Sequence, residues 1–200
     1  MRKLIIGIGG MTNGGKTTLS KSLPELLHNS LVISQDNFFK DDSMVPADVS
    51  GFKQYDTLDA LHMDRMMADI GSWQEDPQGF MMSRDPSVKS TASEPSNVCV
   101  LIVEGFLIFN HGPLNTLFNK RYFLQIPYEI CKERRSSRVY VPPDPPGYFD
   151  GYVWPMYLKN RKAMEETVND IVFLDGTQKS EMLLSTVLAD IQEMLMITQR

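Results

Sequence analysis

A chain of 200 residues, 42% of them hydrophobic and 22% charged, has the size of one domain and the apolar material for a core, which excludes wholesale disorder. A net charge of −5 excludes a general nucleic-acid binder, since no basic surplus exists to neutralise a phosphate backbone. Its apolar runs fall well short of the ~20 residues that span a bilayer, so no membrane insertion is expected.

Residues 3–8 read as a buried strand, short, β-branched and ended by glycines. It runs into Gly10-Met11-Thr12-Asn13-Gly14-Gly15-Lys16-Thr17-Thr18, in which four residues separate Gly10 from Gly15-Lys16-Thr17, the Walker A spacing. Residues 16–27 follow with a helical stripe of Leu19, Leu23, Leu26 and Leu27, and Pro24 is placed to kink or end that helix early. Strand, loop and helix in this order form an anion site. Glycines let backbone N–H groups wrap phosphates, and a helix N-terminus favours negative charge. Lys16 adds a cation at the β- and γ-phosphates, and the Thr17 hydroxyl can ligate Mg²⁺. The loop names a nucleoside triphosphate, with ATP and GTP both open, but not the acceptor.

Residues 31–34 read as a second strand, which implies a right-handed parallel crossover. Gln35-Asp36-Asn37-Phe38-Phe39 follows. Asp36 stands past the carboxyl end of a strand, where open α/β sheets bind ligands, and suits a base for phosphoryl transfer that also faces Mg²⁺. Phe38 and Phe39 are core or pocket wall, with at least one in the core. Residues 40–51 form a polar loop. Asp56 precedes a helix over 58–73, where an N-cap role competes with a functional one. Leu58, Leu61, Met66 and Ile70 are assigned to packing. Residues 75–97, with Pro77, Gly79, Pro86, Pro95 and five serines, read as a long mobile excursion without catalytic role.

Val98–Glu104 is a continuous apolar run ending in an acid, as expected of a central parallel strand with a carboxylate at its tip. Glu104 fits a Walker B position holding the water shell of Mg²⁺, or caps the next turn. Residues 120–126 give a fourth strand, and residues 128–138 a helix bearing Arg134, Arg135 and Arg138. On an acidic protein beside a phosphate loop, these arginines close over transferred phosphate. The proline-rich residues 139–150 form a stiff loop, so that 128–150 together make a lid. A helix over 154–166, a fifth strand over 170–175 and a C-terminal helix over 179–197 complete the chain, with Met182, Leu183, Val187, Ile191 and Leu195 as its core stripe. His28, His62 and His111 have no ligand spacing. Cys99 and Cys131 read as free thiols of a reducing compartment. With no room for a signal peptide before the first strand, a cytoplasmic location is expected.

Five strands alternating with helices predict a three-layer α/β/α fold around a mainly parallel sheet, with residues 1–200 as one domain. The phosphate loop, Asp36, Glu104 and the arginine helix then converge at the carboxyl edge. That is the layout of a small phosphotransferase.

The segments GIGGMTNGGKTTL, ISQDNFFK, GFKQYDTLDAL, LIVEGFLIFN, RYFLQIPYEICKERRSSRVYVPPDPPGYFDGYVWPMYLKNR and VFLDGTQKSE carry a resemblance over nearly the whole chain. The chain resembles the nicotinamide riboside kinases, within the uridine-kinase-like branch of P-loop kinases. Residues 128–161 are the most diagnostic, and the first and last segments read nearer the family's muscle-type paralogue. The resemblance implies ATP-dependent phosphorylation of the 5′-hydroxyl of nicotinamide riboside, and of nicotinic acid riboside, in NAD biosynthesis. It implies that residues 10–18 bind ATP, that Thr17 and Asp36 hold Mg²⁺, and that Asp36 accepts the hydroxyl proton. Asn37, Phe38 and Phe39 then line the acceptor. Tyr55 and Tyr140 flank the pyridinium ring, a cation that suits aromatic faces, with Val141 beside them. Asp56 and Arg135 hold the ribose hydroxyls. Arg134, Arg138, Val139 and Tyr140 contact ATP from the lid, and Gln178, Lys179 and Ser180 lie against adenine. The sequence departs from the family at Asn37, where an acid is usual, and by a one-residue shift around Gln178. An integrin-type protein partner is also part of what the resemblance implies. A uridine or cytidine kinase is the nearest rival. A regulatory GTPase would carry Asn-Lys-x-Asp, which Asn160-Arg161-Lys162 does not supply.

Overall fold

The computed structural model describes residues 1–84 and 98–197. Five strands, β1 (Arg2–Gly10), β2 (Ser30–Ser34), β3 (Val98–Glu104), β4 (Lys120–Gln125) and β5 (Ile171–Asp175), form one sheet in the order β2-β3-β1-β4-β5. Every pairing is parallel. The helices are α1 (Lys16–Ser22), α2 (Met63–Glu75), α3 (Pro77–Arg84), α4 (Gly112–Asn115), α5 (Tyr128–Ser136), α6 (Trp154–Thr167) and α7 (Ser180–Ile197).

The period of two along β1 divides the core. Leu4, Ile6 and Ile8 pack with Leu19 and Leu23 near α1 and with Leu183, Val187 and Ile191 of α7. Ile5, with Leu101 and Val103 of β3, packs with Met66, Ile70 and Trp73 of α2. A sheet covered on both faces needs apolar side chains on both, which is why β1 and β3 read as continuous apolar runs. The result is the three-layer α/β/α fold of P-loop nucleotide-binding proteins. Parallel register pairs Glu104 with both Ile8 and Ser34, so the carboxyl ends of β1, β2 and β3 are level. Ligands of such sheets sit at that edge.

The departures from expectation are local. Helix α1 stops at Ser22, two residues before Pro24, and Leu26 is exposed. Helix α2 begins at Met63 after a 3-10 turn over Leu58–Ala60, with His62 at its N-cap, so Asp56 caps nothing. Residues expected as irregular excursion hold α3. Asp76 accepts the Gly79 N–H at 3.0 Å and Pro77 opens the helix, so a capping residue plus proline reads as loop punctuation in sequence. The remainder of that excursion, 85–97, lies outside the described residues. Met182 faces outward from α7, whereas Leu183, Val187 and Ile191 are buried. No helix of the described residues is long and apolar enough to cross a membrane.

Candidate active site

The phosphate loop leaves β1 at Gly10, whose φ of +141° only glycine adopts comfortably and where a Cβ would lie 2.4 Å from the Leu124 carbonyl oxygen. Asn13 and Gly15 also take positive φ, 59° and 95°. Lys16 folds back under the loop, and its Nζ donates to the Met11 carbonyl at 2.8 Å. Burial lowers its pKa, while Glu104 and Asp36 counter that shift. Glu104 is buried, accepts the Ser34 hydroxyl, and lies 3.5 Å from the Thr17 hydroxyl. Burial raises its pKa; the Ser34 bond and Lys16 pull it down.

Asp36 stands exposed on a 3-10 turn, Gln35–Phe38, directly after β2. Gln35 pins that turn from beneath: fully buried, its Oε1 accepts the Leu107 N–H at 2.9 Å. Thr17, Glu104 and Asp36 thus bring hydroxyl and carboxylate oxygens together. Hard oxygen donors in a sparse set fit Mg²⁺, which keeps several waters and leans on substrate phosphates. Among the described residues no cluster of three or more His, Cys, Asp or Glu makes a fuller metal cage.

A cavity of about 1250 Å³ opens on this edge. It exceeds the ~300–1,000 Å³ of a pocket for one small molecule. Its lining includes residues 12–18 of the phosphate loop with Arg134, Arg138, Gly176, Gln178 and Ser180. The same lining includes Asp36, Phe39, Tyr55, Asp56, Phe106, Asp144 and Tyr148, with Arg135, Tyr140 and Val141, and the Tyr140 hydroxyl lies 3.2 Å from the Asn13 side chain. Most of the expected site residues therefore share one space. Gly10, Asn37, Phe38, Glu104, Val139 and Lys179 do not line it; Glu104 is buried behind Thr17. Asn37 is solvent-exposed, Phe38 packs on the core beneath the turn, and Val139 points outward at 89% exposure. Met11 is buried beneath the loop, where it contributes a carbonyl and no cavity wall.

Arg134, Arg135 and Arg138 are tied to the phosphate loop. Arg134 donates to the carbonyls of Asn13 (3.1 Å) and Gly176 (3.2 Å). Arg135 forms a two-point ion pair with Asp144, at 2.6 and 3.0 Å, and reaches the Thr12 hydroxyl at 3.4 Å. Its guanidinium lies 4.4 Å from the Tyr140 ring centroid, and that of Arg138 lies 5.4 Å away. Tyr55 sets its ring edge-on to Phe39, which stacks on Phe106, and donates its hydroxyl to Asp42. Burial pushes the Tyr55 hydroxyl up to about 12. Burial likewise pushes the Asp56 carboxyl up to about 7; Asp144 adds to the shift, and Arg135 and Lys16 oppose it.

A family model described as an AAA domain matches residues 6–154. The chain is 54% identical to "Nicotinamide riboside kinase 1" of Mus musculus over 195 residues, covering 98% of this chain and 97% of that one. This chain belongs to the nicotinamide riboside kinase family. Its identity to "Nicotinamide riboside kinase 2" of Mus musculus is 50% over 196 residues, covering 98% and 99% of the two chains. The two values are too close to place this family member with one paralogue. A solved structure described as "a Possible Uridine Kinase from Bacillus stearothermophilus" superimposes with a TM-score of 0.52 at 14% identity, over 86% of this chain and 89% of that one, and shares the fold.

For this family member, some residues at the site carry no sign in sequence of what they do. Asp144 sits among prolines and reads as loop punctuation. Gln35 and Tyr152 lie in segments that carry the family resemblance, but nothing local points to a role for either. Only the folded chain shows that they hold Arg135, the Asp36 turn and Asp56.

Proposed function

We propose that the chain transfers the γ-phosphate of ATP to the 5′-hydroxyl of nicotinamide riboside, giving nicotinamide mononucleotide for NAD synthesis, with nicotinic acid riboside as a second acceptor. The observation that carries this reading is one cavity shared by the phosphate loop, Asp36 and the Tyr55–Asp56–Arg135–Tyr140 group. Lys16 and the loop amides hold the β- and γ-phosphates, and Arg134 and Arg138 approach them from the lid. Gln178 and Ser180 border the adenine. The ring of the riboside lies by Tyr55 and Tyr140, and Asp56 and Arg135 take the ribose hydroxyls. That pose sets the 5′-hydroxyl toward Asp36, which accepts its proton as the oxygen attacks phosphorus.

Thr17 and Asp36, with Glu104 behind them, are the residues that would hold Mg²⁺, which when bound neutralises charge on the transferred phosphate. GTP is a second donor within the same reading. The described cysteines are both free and buried, which supports a reducing compartment such as the cytoplasm. An integrin-type partner belongs to a second role outside this chemistry, and pull-down with a catalytically dead variant separates the two roles.

The experiment is coupled ADP release with nicotinamide riboside, nicotinic acid riboside or uridine as sole acceptor. Both pyridine ribosides turn over, and uridine stays near the ATP-only blank. Absence of turnover above that blank with nicotinamide riboside ends the proposal.

A further inference from the structure

Asp56 lies in no helix or strand, so its place depends on tertiary bonds to its own backbone. Those bonds come from two residues of one neighbouring helical run. The Asp56 N–H donates to the Tyr152 hydroxyl at 2.9 Å, and the Asn160 side-chain amide donates to the Asp56 carbonyl at 2.9 Å. Tyr148, one turn before Tyr152, donates its hydroxyl to the Lys53 carbonyl at 2.6 Å.

Tyr148, Tyr152 and Asn160 are spaced at i, i+4 and i+12, close to one face of a helical run. That run begins with a π turn over Phe149–Val153 and continues as α6. Single π turns recur at functional sites. Tyr148 and Tyr152 stack with ring centroids 5.1 Å apart, and both are buried. Asn160 is fixed in turn, its carbonyl accepting the Asn110 side-chain amide at 2.9 Å. The Asp56 peptide is therefore clamped at donor and acceptor, and its carboxylate is left for the cavity.

We infer that Tyr152 and Asn160 are positioning residues that aim the Asp56 carboxylate at the acceptor, and that they act on acceptor binding without acting on ATP. The inference rests on the riboside kinase reading. It adds two residues outside the nucleotide motifs, both on the element that follows the lid loop.

Tyr152→Phe keeps the ring and its stack and removes only the accepting oxygen; Asn160→Ala removes the donor. In the full chain with ATP and Mg²⁺, each raises KM for nicotinamide riboside roughly fivefold or more, while KM for ATP stays within about twofold. In an Asp56→Ala background, Tyr152→Phe raises riboside KM no further, because a residue acting through Asp56 has nothing left to aim. Equal rises in both KM values, no rise in either, or full additivity with Asp56→Ala overturns the inference. Amide exchange gives a second measurement free of turnover. Tyr152→Phe speeds exchange at Asp56 at least about tenfold and leaves the β1 and β3 amides alone. Unchanged exchange at Asp56 overturns the inference whatever the kinetics. If the unmodified chain phosphorylates no riboside, the functional reading falls instead, and the exchange result alone decides whether Tyr152 holds Asp56.

Discussion

The Thr17 hydroxyl lies 3.5 Å from the Glu104 carboxylate, which also accepts the hydroxyl of Ser34, its register partner across the sheet. One carboxylate thus joins the first turn of α1 to the tips of β2 and β3. Glu104→Gln keeps the shape and removes the charge. We predict a fall in kcat of about 10²-fold, a higher Mg²⁺ requirement, and an ATP KM within about threefold. Steady-state kinetics across a Mg²⁺ titration checks this. Retained kcat with a lowered Tm would make Glu104 a structural residue only.

Asp56 gives a pH prediction with a definite sign. Its carboxyl, ordinarily near 3.8, titrates at about 7 in the fold because burial disfavours the anion. Below the ordinary value both states are protonated. Between there and about 7 the unfolded chain ionises first, so stability falls as pH rises. Asp56→Asn does not titrate. Its Tm therefore equals or trails the parent's at pH 4 and leads it by a few degrees at pH 8. Thermal melts of both proteins across this range test it. Riboside affinity moves oppositely: KM falls as pH rises through about 7, because the anion accepts ribose hydroxyls better.

Arg135 meets Asp144 with two N–H groups and lies over Tyr140. Lysine keeps the charge but neither the fork nor the flat stacking surface. Arg135→Lys therefore raises riboside KM about tenfold, and Asp144→Asn raises it less. A double-mutant cycle on the pair reports the coupling, and independence of the two effects would contradict it.

Two glycines of the phosphate loop separate strain from crowding. Both have positive φ, but a Cβ on Gly10 meets the Leu124 carbonyl at 2.4 Å, whereas one on Gly15 meets nothing within 4 Å. Gly10→Ala costs about 2–4 kcal/mol of stability and Gly15→Ala about 1 kcal/mol. Denaturant midpoints measure both, and equal losses would refute the crowding argument.

Much of this site is legible in the chain. Residues 10–18 announce phosphate binding because glycine spacing, Lys16 and a following helix are all local features. Asp36 and Glu104 are candidates from sequence alone because acids at strand tips stand out against apolar runs. What escapes is what depends on long-range contact. Tyr152 meets Asp56 across 96 positions, and no periodicity records that. Helix α3 escapes because Asp76-Pro77 signals a helix start and a turn alike. Asn37 and Phe38, set at the acceptor by the resemblance, lie off the cavity: successive residues of a 3-10 turn face different ways, Asn37 toward solvent and Phe38 onto the core, one of the two places its residue type left open.

The most direct test follows nicotinamide mononucleotide formation by the unmodified chain and by Asp36→Asn, with saturating ATP and Mg²⁺, alongside ATP affinity. The account predicts product from the unmodified chain, a rate lower by about 10²–10⁴-fold in the variant, and ATP affinity within about threefold. A variant that forms product at close to the parent rate would contradict it.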